Sequence, residues 1–336
     1  MQESTFNELA DLALRNSGQH FAPTKSYLMD ARLSSISRRE SFATLDDLVQ
    51  CLKARPNPRF EQEVAAALTS KKTSFFSERA VIEQIMGHAL PERLKLSKSG
   101  KLRIWCAGVS TGQEAWSLAI RLKEEVGSPL ASADIEIIGS DLSTDCVETA
   151  KRGVYGNFDV QKGLSIHRLI TNFNRLDNGE WEINDDLRGS VFFRRQNLLN
   201  PASDLGGFDV ILCSNVIGGL ARPAQRQVLE TLSKQLLPEA YIFFGADEAI
   251  EGLSDTVTPS REMRSAFVRA ASSGAAAAAQ IDPENRAKPK SYTLIKGTQL
   301  SPKEGFMLWV LFSQPNSIFN VHSTLLDVPA VLSLPG

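Results

Sequence analysis

Between residues 102 and 126 a short apolar run is followed by two glycines and then by apolar residues at helical spacing. The run Leu-Arg-Ile-Trp-Cys-Ala (102–107) ends in Gly108, and after Gly112 the residues Ala115, Leu118, Ala119, Leu122 and Val126 share one helix face. Strand, tight turn and helix in that order open a βαβ unit, which requires a mostly parallel sheet covered by helices. Gly108 and Gly112 lack a Cβ, so the chain can turn sharply and let a ligand approach the backbone, in front of the free N–H groups of the helix start. The motif Gly-Val-Ser-Thr-Gly-Gln-Glu (108–114) is not Gly-x-Gly-x-x-Gly and lacks the Lys of a phosphate-binding loop. It is not shaped for a pyrophosphate. A second apolar run, Ile-Glu-Ile-Ile-Gly-Ser (135–140), ends in Asp141, an acid placed at a strand tip to accept hydrogen bonds from a ribose diol. The two strand ends together describe a nucleoside site.

The same rhythm continues along the chain. Ser143 caps a helix that runs to Arg152, strands are expected at 208–213, 241–244 and 266–269, and a helix opens at Pro223 with Leu229, Leu232 and Leu236 on one face. Residues 154–195 interrupt it. Asp-Asn-Gly (177–179) is a hairpin turn, and Ser-Val-Phe-Phe-Arg (190–194) is another strand, so a small antiparallel β insert is expected over 154–195. Residues 1–90 are helical, with stripes at Phe6, Leu9, Leu12 and Ala13, at Leu45, Leu48, Val49 and Leu52, and at Val64, Ala67 and Leu68. Three segments result: an all-helical domain over 1–90, an α/β domain over 91–270, and a linker with a C-terminal extension over 271–336, whose Ala-rich start and later apolar runs carry no motif.

A formal net charge of -2 argues against a general nucleic-acid binder, whose domain would be strongly basic. The longest apolar segments fall short of the roughly 20 residues that span a bilayer, and Met-Gln-Glu-Ser-Thr does not open a signal peptide. A cytoplasmic protein without membrane insertion is expected. Cys51, Cys106, Cys146 and Cys213 are too scattered for a metal site, and Cys106 and Cys213 fall inside strands as small buried hydrophobes. Arg32, Arg38 and Arg39 make a solvated helix face on charge alone. Phe75 and Phe76 serve either as core anchors or as cover for a flat ligand or a sulfonium.

Six segments in order resemble one family: Thr-Ser-Phe-Phe (73–76), Trp-Cys-Ala-Gly-Val-Ser-Thr-Gly-Gln-Glu-Ala-Trp-Ser (105–117), Gly-Ser-Asp-Leu-Ser-Thr (139–144), Gln-Asn-Leu-Leu (196–199), Phe-Asp-Val-Ile-Leu-Cys-Ser-Asn-Val (208–216) and Gly-Leu-Ser-Asp (252–255). The chain is similar to the CheR-type methyltransferases, which methylate glutamates of bacterial chemoreceptors with S-adenosylmethionine. The resemblance implies a class I methyltransferase-like (Rossmann-like), mostly parallel seven-stranded sheet, preceded by the helical domain and carrying the β insert. It also implies S-adenosylmethionine as cofactor, contacted by Thr73, Gly108, Glu114, Asp141, Asn197, Leu198 and Asn215. It implies a chemoreceptor or related signalling protein as partner.

The chain departs from that family on the acceptor side. Ser77 stands where the family has Arg after the paired aromatics, Ser214 where it has Arg before the Asn, and Gly219 where it has Tyr. Ser77 and Gly219 are thus the positions that the resemblance places against the substrate carboxylate. Two functions follow from this pattern. One is a protein-glutamate O-methyltransferase, and the other is a cofactor-binding regulatory or scaffold protein with lost or altered catalysis. A nicotinamide oxidoreductase is disfavoured, because the dinucleotide glycine fingerprint is absent.

Overall fold

The computed structural model describes residues 1–263 and 265–270, so the expectations for 271–336 lie outside the described residues. The helices α1 (Glu3–Ser17), α2 (Tyr27–Arg39), α3 (Leu45–Ala54) and α4 (Pro58–Leu68) enclose a core of their own. All three apolar stripes expected for this region are buried in it. The Thr44 hydroxyl accepts from the Asp47 N–H while the Asp47 carboxylate accepts from the Thr44 N–H, a capping box that fixes the start of α3. Asn57 caps α4, with Pro58 in its first turn. Arg38 and Arg39 are exposed, as a solvated face requires. Arg32 is half-buried: its guanidinium lies 5.5 Å from the centre of the Phe21 ring and donates to the Leu68 carbonyl.

The next helices belong to the sheet. α5 (Arg79–Gln84) continues through a π turn (Ile85–Ala89) into α6 (Leu90–Leu96), and Val81, Ile82, Ile85, Met86 and Leu90 pack into the same core as the strands. Then follow β1 (Lys101–Ala107), α7 (Gln113–Lys123), β2 (Asp134–Asp141) and α8 (Thr144–Arg152). The insert contains β3 (Val154–Tyr155), α9 (Asn157–Gln161), α10 (Ile166–Asn172), β4 (Phe173–Arg175) and β5 (Trp181–Ile183), and α11 (Asp185–Arg188) leads back out of it. The domain closes with β6 (Val191–Arg195), β7 (Phe208–Cys213), α12 (Arg222–Lys234), β8 (Leu236–Phe244), β9 (Val257–Pro259) and β10 (Ala266–Arg269).

Seven strands form the main sheet in the order β6-β2-β1-β7-β8-β10-β9. The pairs β2/β6, β1/β2, β1/β7 and β7/β8 are parallel, and β10 runs antiparallel to both β8 and β9. β1 sits inside the sheet, and both faces of the sheet are covered, so Leu102 through Ala107 are all buried. The chain proceeds outward from β1 through β2 to β6, then crosses back to place β7 on the other side of β1. That reversal opens a crevice at the C-terminal ends of β1 and β7, where open α/β sheets bind ligands.

Three expectations need correction, the first being Leu236, which lies past the end of α12 at Lys234 and opens β8 instead of sharing a helix face with Leu229 and Leu232. The antiparallel insert is the three-stranded sheet β3-β5-β4, and it does not extend to Arg195. The strand at Val191–Arg195 is instead the parallel edge of the main sheet, with Gly139 opposite Phe193 and Asp141 opposite Arg195. Its register is fixed by packing: the Phe193 ring fills the space a Cβ on Gly139 would take and lies 5.2 Å from the Trp116 ring. The helix after Gly112 ends at Lys123, so Val126 lies beyond it and is exposed. Cys106 and Cys213 are wholly buried among apolar strand neighbours. No helix among the described residues is long and apolar enough to cross a membrane.

Candidate functional site

The loop after β1 is shaped by steric demand. Gly108 has φ +82°, and a Cβ there would stand 2.4 Å from the Val216 side chain in the loop after β7. Any side chain would push these two loops apart. The Gly108 and Val109 N–H groups both donate to the Ser140 carbonyl, at 2.7 and 3.0 Å, which ties the loop to the end of β2. Ser110 then takes a left-handed φ of +52°. In that position its N–H donates to Asp141 Oδ2 at 2.8 Å and its hydroxyl donates to the Lys71 carbonyl at 3.0 Å. Asp141 Oδ1 accepts from the Ser143 N–H at 2.8 Å. Burial pushes the Asp141 carboxyl above its ordinary value, while the Ser143 and Ser110 N–H groups and the nearby Lys71 charge pull it back down.

A cavity of about 540 Å³ lies over these strand ends. Of the residues singled out from sequence, Gly108, Asp141, Asn197, Leu198, Asn215 and Gly219 line it. Thr73, Ser77 and Glu114 are not among its lining residues. Thr73 is half-buried on the segment before α5, and Ser77 is exposed. Glu114, in the first turn of α7, is buried and has no salt-bridge partner among the described residues. Its carboxyl is pushed up to about 8, chiefly by burial, with Glu78 and Glu248 adding to the rise and Ser214 opposing it. Ser214 lines the cavity, and its buried hydroxyl makes no well-directed hydrogen bond even though it stands close enough to act on Glu114.

The helical domain closes one side of the cavity. Gln19 makes an antiparallel bridge to Leu220, the His20 N–H donates to the Gly219 carbonyl at 3.0 Å, and Gln19 Nε2 donates to that carbonyl at 2.6 Å. A Cβ on Gly219 would meet the Gln19 amide at 3.0 Å, so the space beside position 219 holds Gln19, whereas a Cβ on Gly218 would meet nothing within 4 Å. Asn197 belongs to the same seam: its Nδ2 donates to the Asn16 carbonyl at 2.7 Å and its Oδ1 accepts from the Leu199 N–H at 3.0 Å. Both ends of that amide are committed within the protein. Phe75 and Phe76 are core anchors. The Phe75 ring is wholly buried with the Tyr155 and Phe173 rings edge-on at 5.2 and 5.5 Å, and the Arg168 guanidinium covers Phe76 at 3.9 Å.

Sequence reasoning missed Ser110, Gln19, Glu78 and Glu248. Glu78 Oε1 accepts from Asn215 Nδ2 at 3.3 Å, and its Oε2 accepts from the Ala246 N–H at 3.2 Å. Glu248 accepts from the N–H groups of Asn215, Gly218 and Gly245 at 2.8, 3.1 and 3.1 Å. Glu248 follows the C-terminal end of β8 as Asp141 ends β2, and that placement was the available signal. Gln19 gave none, since its partner lies 200 residues away.

The donor set fits S-adenosylmethionine. A carboxylate at the tip of β2, a buried carboxylate with no cation beside it and a buried hydroxyl without a partner together call for hydroxyl donors and a cationic group. A ribose diol and the ammonium and sulfonium of this cofactor are groups of that kind. Residues 4–69 match the CheR methyltransferase all-alpha domain, and residues 71–266 match the CheR methyltransferase SAM binding domain. Among curated relatives, the chemotaxis protein methyltransferase Cher2 of Pseudomonas putida is 31% identical over 69% of this chain and 85% of its own length. Chemotaxis protein methyltransferase 1 of Pseudomonas aeruginosa is 33% identical over the same shares. The chemotaxis protein methyltransferase of Vibrio parahaemolyticus is 30% identical over 69% of this chain and 84% of that one. With its glycine turn, its strand-tip acid and its helical flank in the order of both matched domains, the chain belongs to the CheR family of S-adenosylmethionine-dependent methyltransferases.

Proposed function

We propose that this protein transfers a methyl group from S-adenosylmethionine to glutamate carboxylates of a chemoreceptor-type signalling protein in the cytoplasm. The observation that carries the reading is the set of acceptors gathered at the ends of β2, β1 and β7 beside the cavity that the helical domain closes: Asp141, whose oxygens also hold the Ser110 and Ser143 N–H groups, the buried Glu114 with no salt-bridge partner among the described residues, and the Ser214 hydroxyl. In this reading the helices α1–α4 of the helical domain and the α/β domain, on whose core α5 and α6 pack, work as the two walls of one cleft.

The cofactor supplies an electrophilic methyl group on a cationic sulfur. Asp141 accepts from the ribose hydroxyls. Glu114, with Ser214, balances the positive charge of the methionine end, and Gly108 keeps the backbone close to the ligand. Leu198 gives the adenine an apolar side, Asn197 shapes that side through its bonds to Asn16 and Leu199, and Asn215 and Thr73 complete the polar contacts. An acceptor glutamate is already ionised at neutral pH, so no strong base is required. The protein contributes alignment, worth about 7–11 kcal/mol when two reactants are held in a productive geometry.

Asp141→Ala is expected to weaken S-adenosylmethionine binding by roughly 1.5–3 kcal/mol, because it removes the ribose acceptor and leaves the Ser110 and Ser143 N–H groups without their partner. Calorimetry on the full chain checks this, and parent-like affinity would move the ribose away from Asp141.

A second reading, cofactor binding without transfer, is favoured by the acceptor side itself. Ser77 and Ser214 offer no cation there, while Glu78, Asp247 and Glu248 surround Asn215 and Gly218. Titration with S-adenosylmethionine, paired with transfer of labelled methyl to chemoreceptor glutamates, separates the two. Binding with transfer supports the first reading, and binding alone supports the second. Ser77→Arg and Gly219→Tyr together are expected to raise that transfer by more than the two single changes combined, since neighbouring groups on one carboxylate couple by roughly 0.5–3 kcal/mol. The Tyr has to displace the Gln19 amide, so Gly219→Tyr alone is expected to gain least. A double variant with unchanged transfer would take both positions out of the acceptor site.

A further inference from the structure

Glu78 and Glu248 come from opposite sides to one residue, Asn215. Asn215, two residues beyond the end of β7, has a left-handed conformation, φ +60°, which Asn tolerates better than most residues but does not adopt without support. The support is Glu248. Its carboxylate gathers the N–H of Asn215, the N–H of Gly218 three residues on, and the N–H of Gly245 after β8. With three backbone donors on its two oxygens, this carboxylate is occupied as an acceptor and poorly placed to act as a base. Glu78 then sets the side chain. Its Oε1 takes Asn215 Nδ2, while its Oε2 is held by the Ala246 N–H in the loop that also carries Glu248.

An amide can be turned either way, and here the carboxylate chooses. Turning the Asn215 amide over would set its oxygen against Glu78, two acceptors facing with no proton between them. Asn215 Nδ2 therefore stays on Glu78, and Oδ1, which accepts from no described residue, is left for the cavity that Asn215 lines. We propose that Glu78 and Glu248 are positioning residues that lock Asn215 with its amide oxygen presented to the cleft, set to accept from an N–H donor of the bound cofactor. This rests on the reading that S-adenosylmethionine occupies the cleft, whose methionine ammonium is the N–H donor near the ends of β1 and β7. The segment that carries Thr73 also carries Glu78, so the clamp ties that segment to the ends of β7 and β8.

The test is calorimetric titration of the full chain with S-adenosylmethionine, with the melting temperature of the free protein as a control for folding. Glu78→Gln is expected to weaken binding about fivefold in the parent and less than about twofold in an Asn215→Ala background, because groups that act through one partner are not additive. Glu248→Gln is expected to weaken binding about tenfold, with the same loss of effect when Asn215 is Ala. The decisive variant is Asn215→Asp, which sets two carboxylates together and weakens binding. Adding Glu78→Gln to it supplies a donor for the new carboxylate and is expected to recover several-fold in affinity. A role in folding alone does not reverse sign in this way, and neither does simple attraction of a cationic ligand by Glu78. Weakening by Glu78→Gln in the Asn215→Asp background, or equal weakening with Ala at 215, overturns the proposal. If the parent binds no S-adenosylmethionine, the cofactor reading itself fails and not merely the clamp.

Discussion

Asp209→Ala is expected to lower the stability of the folded chain by about 3–5 kcal/mol, the usual range for removing one partner of a buried ion pair. Asp209 is wholly buried on β7 and uses both oxygens: Oδ1 accepts from Arg93 Nε and Nη2 at 3.1 and 3.0 Å, and Oδ2 accepts from the Arg103 N–H of β1 at 2.9 Å. Arg93 is nearly as buried and also donates to the Pro238 carbonyl at 2.8 Å, so α6 is fastened to β7 and β8 by one guanidinium. Removing the carboxylate leaves that charge in an apolar interior with one backbone acceptor. The pair itself need not be a net gain, because desolvation offsets much of the attraction, so Arg93→Met with Asp209→Leu is expected to cost far less than either single loss. Denaturant unfolding of the three variants measures this directly. A loss below about 1 kcal/mol for Asp209→Ala would mean that water reaches the pair.

Asp209 also marks where a sequence stops being informative. β1, β2, β7, β8 and β10 are legible because each is an apolar run of strand length set between helical periods, and such runs are fixed by burial on both faces. Asp141 is legible because a strand tip is a defined place and an acid there has few structural uses. Asp209 stands inside an apolar run, and nothing near it in sequence announces Arg93, 116 positions earlier. β6 reads correctly as a strand, but it joins a different sheet from the expected one, because periodicity gives the type of an element and not its neighbour. Phe193 against Gly139 decides that question, and it is a contact between residues in different elements. Asn197 shows a different limit. Its residue type suits ligand binding, yet Asn16 and Leu199 have claimed its amide. Gly219 is related: it stands where the family has Tyr, and the fold fills the space beside it with Gln19 from the helical domain.

Glu114 is expected to make both stability and cofactor affinity depend on pH, in opposite directions. Burial is the main cause of its rise from an ordinary 4.5 to about 8, the charges of Glu78 and Glu248 increase it, and Ser214 is the one opposing contact. Between these two values the folded free protein is expected to hold a proton that the unfolded chain has released. Stability is therefore greatest below the lower value and falls as pH rises through the upper one, by an amount on the order of 5 kcal/mol, because each pH unit between the two values is worth about 1.36 kcal/mol. In the proposed reading Glu114 faces the cationic end of the cofactor, and a bound cation prefers the ionised carboxylate, so binding of S-adenosylmethionine is expected to expel that proton below pH 8. Affinity is then expected to rise up to about tenfold per pH unit, or roughly fiftyfold from pH 6 to pH 8, and to level off above. Calorimetry at pH 7 in buffers of different ionisation enthalpy should count close to one proton released per cofactor bound. Glu114→Gln keeps the shape and removes the titration, so it is expected to flatten both profiles, to stabilise the free protein at pH 8 and to weaken binding there. S-adenosylhomocysteine, which lacks the sulfonium charge, is expected to follow a shallower profile than S-adenosylmethionine if the carboxylate senses both positive groups. Binding that releases no proton at pH 7, in a protein whose stability does not fall between pH 5 and pH 8, would show that Glu114 is already ionised in the free state, with a compensating charge that the described residues do not contain.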